Sequence, residues 1–88
     1  MVVDFTGSYC APCKQLEPIL GALANTYRGA IEVLTIDIEE HPDLAQRYGV
    51  RSVPTLIAFQ GGEVRGQQVG FSHARRVREM FEELAVLE

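Results

Sequence analysis

The chain has 88 residues and a net charge of −4, with 47% hydrophobic and 23% charged residues. That length suits one domain, residues 1–88, which buries about 60–65% of its extended-chain surface and so has a modest core. The acidic balance argues against nucleic acid as a partner; no window approaches the ~20 apolar residues of a membrane span, and the N-terminus lacks the basic and long apolar segments of an export signal.

Residues 1–5 form an apolar run that reads as a strand buried on both faces. Asp4 interrupts it, and a carboxylate there is costly unless it is paired or protonated. Two readings stay open at this point: Asp4 faces a polar edge or bonds to the turn Thr6-Gly7-Ser8, or it is a functional acid. The stretch Tyr9-Cys10-Ala11-Pro12-Cys13-Lys14 follows and holds the only two cysteines. Apolar positions at Leu16, Ile19, Leu20, Leu23, Ala24 and Tyr27 keep helical spacing over residues 11–28. Pro18 falls inside this helix, where it removes one hydrogen bond and favours a bend. Residues 31–38 are rich in β-branched side chains and read as a second strand.

Pro42 and Gly49 bracket a short helix with Leu44, Ala45 and Tyr48 turned inward. Pro54 stands at the entry of a strand over 55–60. Gly61-Gly62 suits a two-residue hairpin turn into a return strand over 63–69. Ser72 is the expected cap of a last helix over 73–87, which should bury Val77, Met80, Phe81, Leu84 and Leu87. The basic cluster Arg75-Arg76-Val77-Arg78 lies beside Glu79, Glu82 and Glu83 and reads as a solvated face. His41 and His73 read as surface residues at helix starts. The order β-α-β-α-β-β-α, with a right-handed first crossover, gives an α/β three-layer sandwich: a four-stranded mixed sheet with helices on both faces.

The chemistry concentrates at the cysteines. Residues three apart on a helix are neighbours on one face, so Cys10 and Cys13 can close a small disulfide ring. Cys10 falls at a helix N-terminus, where unpaired N–H groups and the positive end of the dipole favour thiolate, the nucleophilic form. Pro12 suits the first turn, which could not have paired its missing N–H. Cys10 is therefore the expected attacking thiolate and Cys13 the resolving one. If the chain is complete, the expected location is the cytoplasm, where thiols are kept reduced and a Cys-x-x-Cys is catalytic or metal-binding. One pair supplies half of a Cys₄ site and the two histidines are distant in sequence, so zinc ranks second.

Val3-Asp4-Phe5, Cys10-Ala11-Pro12-Cys13-Lys14, Pro18-Ile19-Leu20, Ile36-Asp37, residues 48–56 around Pro54, Gly62-Glu63-Val64 and Val69-Gly70 together make the chain resemble the thioredoxin family almost end to end. The resemblance implies that Asp4 is a buried acid relaying a proton to or from Cys13. It implies that Pro54 is a cis-proline, and that Tyr9, Ala11, Pro12, Val53, Pro54, Val69 and Gly70 form the surface a substrate chain meets. It further implies a protein-disulfide reductase with no permanently bound cofactor, disulfide-containing protein substrates and a separate thioredoxin-reductase-like electron donor.

The departures from the family pattern are Tyr9 and Thr6 where tryptophans are usual, Ala11 for the usual glycine, and Val33 for a lysine that often neighbours the acid. Loss of that cation should raise the Asp4 pKa. The family also carries a strand and helix ahead of the strand that holds the acid, and this sequence begins at that strand. Strand 31–38 is then expected to be an apolar edge, with a tendency to self-associate or a stability below that of a full-length relative. Three rival functions are a glutaredoxin-like, glutathione-resolved enzyme, an exported oxidase or isomerase, and a module whose thiols hold zinc or an iron–sulfur cluster.

Overall fold

The structure is a computed structural model that describes residues 1–86. Strand β1 (Val2–Thr6) leads into helix α1 (Ala11–Thr26), then β2 (Val33–Asp37), α2 (Pro42–Arg47), β3 (Thr55–Gln60), β4 (Glu63–Val69) and α3 (Ala74–Val86). The expected order β-α-β-α-β-β-α is the one found. The sheet runs β2-β1-β3-β4, so β1 lies in the interior. It pairs in parallel with β2, through Asp4↔Thr35 and Phe5↔Ile36, and antiparallel with β3, through Asp4↔Leu56 and Phe5↔Thr55.

Alternation along β1 divides the core into two layers. Val2 packs with Leu16, Leu20 and Leu23 of α1, Leu56 and Ala58 of β3, and Val77, Phe81 and Leu84 of α3. Val3 and Phe5 point the other way, into a smaller cluster with Ala45, Val50 and Ile57. Each fully buried aliphatic or aromatic side chain stabilises the fold by about 1.5–3 kcal/mol, so the larger layer carries most of the hydrophobic stabilisation. Tyr48 is 37% exposed, more open than its expected inward position. Its ring still meets Phe59 edge-on at 5.4 Å and Phe5 at 6.4 Å, closing the rim of the smaller layer.

Several boundaries move from the expected ones for physical reasons. Helix α1 stops at Thr26, because the next N–H, of Arg28, turns to the Asn25 carbonyl three residues back and Gly29 takes a φ of 88°. It runs through Pro18 as one element. Strand β2 starts at Val33 instead of residue 31, since the Ile31 N–H is spent on the Tyr27 carbonyl in the turn. Helix α3 starts at Ala74, which moves the cap position from Ser72 to His73. Leu87 lies outside the described residues. Gly61 and Gly62 have φ of 60° and 78°, the left-handed pair a tight hairpin needs, and Gln60 pairs with Glu63 across them. A bulge between Ala58 and Phe59 shifts the β3–β4 register.

Candidate active site

The register gathers one end of the sheet. Thr55 pairs with Phe5 on one side and Val69 on the other, so the segment after β1, the loop before β3 and the end of β4 meet there. The Val53–Pro54 peptide is cis, as the resemblance implies, and the Pro54 carbonyl accepts the Gly70 N–H at 2.8 Å. Gly7 passes so close to this loop that a Cβ on it would lie 3.2 Å from Val53 Cγ2. On the other flank the Ser8 hydroxyl donates to Asp37 at 3.3 Å, and Asp37 also accepts the Glu39 N–H at 2.8 Å. The turn that presents the cysteines is thus held from both sides.

Cys10 is the N-cap of α1 and Cys13 lies in its first turn; the two sulfurs form a disulfide across Cα atoms 5.2 Å apart. The Cys13 N–H donates to Cys10 Sγ at 3.1 Å. A free N–H aimed at sulfur, with the helix dipole behind it, stabilises negative charge on Cys10 once the disulfide opens. The two cysteines are not equally accessible: Cys10 is 8% exposed and Cys13 1%. Around them Tyr9 is fully exposed, Val69 is 64% exposed, Ala11, Pro12 and Gly70 are open to solvent, Val53 is half-buried and Pro54 is buried. Six of the seven residues expected to meet a substrate therefore present surface, and Pro54 is the one that does not.

Asp4 lies on the α1 side of β1, opposite in alternation to Phe5, in the same layer as the buried face of α1 that includes Cys13. It is 1% exposed, and its Oδ1 has no hydrogen-bond partner, so neither a polar edge nor a bond to the turn explains it. Its flanking register partners are Thr35 and Leu56, and Val33 and Thr35 leave β2 without a cation on this face. Burial is the main cause that pushes its carboxyl from 3.8 up to about 6, and the charge of Glu17 adds to it. Glu17 carries no mark in the sequence beyond its spacing of four from Cys13, one turn along the same helix face. His41 and His73 are exposed at the starts of α2 and α3. An apolar groove of about 520 Å³, lined by Met1, Val3, Phe5, Leu34, Leu44 and Tyr48 among others, includes neither cysteine.

A buried acid in the layer beneath a Cys-x-x-Cys pair, at the N-terminus of a helix packed on a mixed sheet, defines a class: proteins that exchange thiols and disulfides. The thioredoxin family model matches residues 1–83, and the chain belongs to the thioredoxin family. The chain is similar to a thioredoxin of Staphylococcus epidermidis, 40% identical over 81 residues that cover 92% of this chain and 78% of that one. Among solved structures it resembles reduced thioredoxin of Schistosoma mansoni, with a TM-score of 0.87, 31% identity, and coverage of 94% of this chain and 76% of that one. It also resembles a thioredoxin variant of Halobacterium salinarum, with a TM-score of 0.86, 36% identity, and coverage of 96% and 73%. The protein is a thiol–disulfide oxidoreductase of the protein-disulfide reductase type with the thioredoxin fold. Its family acts on disulfide-containing proteins and is reduced again by a reductase partner. Among the described residues no helix is long and apolar enough to cross a membrane.

Proposed function

We propose that Cys10 is the nucleophile, Cys13 the resolving thiol and Asp4 the acid that relays a proton to or from Cys13. The Cys10 thiolate attacks one sulfur of a substrate disulfide; that S–S bond breaks, a Cys10–substrate disulfide forms, and one substrate thiolate leaves. Cys13 gives its proton to Asp4, and its thiolate attacks Cys10 Sγ. The mixed disulfide breaks, the second substrate thiolate leaves, and Cys10–Cys13 stands oxidised, two electrons having passed to the substrate. The supporting observation is the asymmetry of the pair: the more exposed cysteine is also the one whose sulfur accepts an N–H at a helix N-cap. In the reduced protein near neutral pH, iodoacetamide should alkylate Cys10 first; faster labelling of Cys13 would reverse the assignment.

Around the pair the exposed Tyr9, Ala11, Pro12, Val69 and Gly70, with half-buried Val53, support an extended substrate segment lying over the cysteines and along the loop before Pro54. The family supports a thioredoxin-reductase-like donor, and turnover with such a reductase against turnover with glutathione separates this reading from a glutaredoxin-like one. Chain length and the two-layer core support one domain over residues 1–88, and the similarity to bacterial thioredoxins supports work in the cytoplasm. Among the described residues β2 pairs with β1 alone and leaves Leu34 42% exposed, which supports weak self-association of two copies along this edge. An antiparallel pairing centred on Thr35 would set Val33 against Asp37 and Leu34 against Ile36, with no like charges opposed. A sedimentation mass that rises with concentration and falls in Leu34→Lys is the expected result; a concentration-independent monomer mass rules it out.

A further inference from the structure

We propose that Arg76, with His73 beside it, forms a carboxylate-binding subsite next to the cysteine pair, so that the preferred substrates are protein disulfides flanked by acidic residues. The inference deepens the function proposed above and rests on Val69 and Gly70 meeting the substrate chain. Contacts tie Arg76 to that surface. The Gly70 N–H donates to the Pro54 carbonyl at 2.8 Å, which joins the end of β4 to the loop beside the cysteines. From Val69 and Gly70 an open cleft of about 230 Å³ continues to Ser72, His73 and Arg76. The Arg76 N–H donates to the His73 carbonyl at 3.2 Å, which sets both residues at the start of α3. Gln68, next to Val69 on β4, donates its side-chain amide to the Arg76 carbonyl at 2.7 Å. The end of β4 and the start of α3 are thereby fixed to each other, with Arg76 in the wall of the cleft.

Charge decides what the cleft takes. Among the described residues the ion pairs are Arg65–Glu63 at 3.7 Å and Arg75–Glu79 at 3.3 Å, and Arg76 belongs to neither. It also borders the neighbouring groove that holds Glu79 and Glu83, and neither of these carboxylates pairs with it. Residues 5–16, 44–62 and 64–78 contain the three segments that meet at the cysteines. They hold no Asp or Glu, and they hold every basic residue except Arg28. On α1 the exposed Lys14 and Glu17 offset each other. The opposite flank is acidic: there Ser8 donates to Asp37, and Glu39 and Glu40 follow in the chain. Since β2 and β4 are the two edges of the sheet, a chain crossing the cysteines passes from an acidic side to a basic one. Its own acidic residues are favoured over the β4 edge and repelled from the β2 edge. A guanidinium suits the task, because its planar fork of donors matches a carboxylate at both oxygens.

The test uses the full chain, reduced beforehand, and three peptides that carry the same intramolecular disulfide flanked by Glu, Gln or Lys. The second-order rate of disulfide reduction is read near neutral pH, in low and in high salt. The Glu peptide should react about threefold to fivefold faster than the Gln peptide, the range an exposed Arg–carboxylate pair supplies, and the Lys peptide should be slowest. High salt should compress the series. Arg76→Gln should bring the Glu and Gln rates together, and Arg76→Glu should make the Lys peptide the fastest. Arg78→Gln removes the same charge from an exposed position of α3 outside the cleft and should keep the wild-type preference. Both arginines are exposed, and the Gln68 bond is made to the backbone of residue 76, so the variants keep the fold. Equal rates for the three peptides in wild type, a preference that survives Arg76→Gln, or one lost equally in Arg78→Gln overturns the inference while leaving the cysteines their roles. Failure of the wild type to reduce any of the peptides overturns both.

Discussion

The two faces of the sheet obey different rules, although β1 supplies side chains to both in strict alternation. The face toward α2 is a plain apolar layer of Val3, Phe5, Ala45, Val50 and Ile57. The face toward α1 and α3 has a larger apolar core, yet it also encloses an ionisable group, Asp4, without a hydrogen bond to its Oδ1 and without a cation opposite. A stable fold would place Leu or Val there. The layer that carries the cysteines therefore gives up stability where it encloses an acid with a raised pKa, and the other layer encloses no such group.

Substitutions on the two faces should separate these rules. The largest effects belong to the thiols. Cys10→Ser should abolish disulfide reduction, whereas Cys13→Ser should accumulate a mixed disulfide with substrate, resolved on a non-reducing gel. Loss of the trapped species in Cys13→Ser, or its appearance in Cys10→Ser, would reverse the roles. On the α2 face, Phe5→Ala empties a site that is 1% exposed and should cost about 3–5 kcal/mol in denaturant unfolding. On the opposite face Asp4→Asn should do the reverse at neutral pH and stabilise the fold. The folded carboxyl titrates at about 6 against 3.8 when exposed, so its contribution to stability is fully present below 3.8 and is lost as pH rises through 6. The difference corresponds to roughly 3 kcal/mol by the usual 1.36 kcal/mol per unit. The smallest effect should come from the surface: Arg75→Ala removes an i,i+4 pair to Glu79 that is 83% and 53% exposed, worth about 0.3–0.5 kcal/mol.

The sequence shows the same contrast unevenly. Element order and most core positions were legible, because period-2 and period-3.6 patterns report which residues must leave water; Leu16, Leu20, Val77 and Phe81 are where the spacing puts them. The cysteine pair and its helix N-terminus were legible too, since both are local. Less legible were features decided by backbone bonds with competing partners. Residues 31 and 32 have strand composition, but the Ile31 N–H goes to the α1 turn and the ladder begins at Val33. The bulge at Ala58/Phe59 left no compositional mark. The coupling of Glu17 to Asp4 joins residues thirteen apart through the α1–β1 packing; only the spacing from Cys13 hints at it. The sequence could raise the question of whether Asp4 finds a partner, and only the enclosing register of Thr35 and Leu56 answers it.

Comparing the unfolding free energy of oxidised wild type with that of Asp4→Asn from pH 3.5 to 8 tests this division of the sheet most directly. The variant should match wild type near the acid end, where Asp4 is protonated in both states, and pull ahead through pH 4 to 6 to a plateau of roughly 3 kcal/mol above that. A difference that is flat across the range, or a variant less stable than wild type at pH 8, would contradict the claim that the cysteine-bearing layer holds an uncompensated acid at the expense of stability.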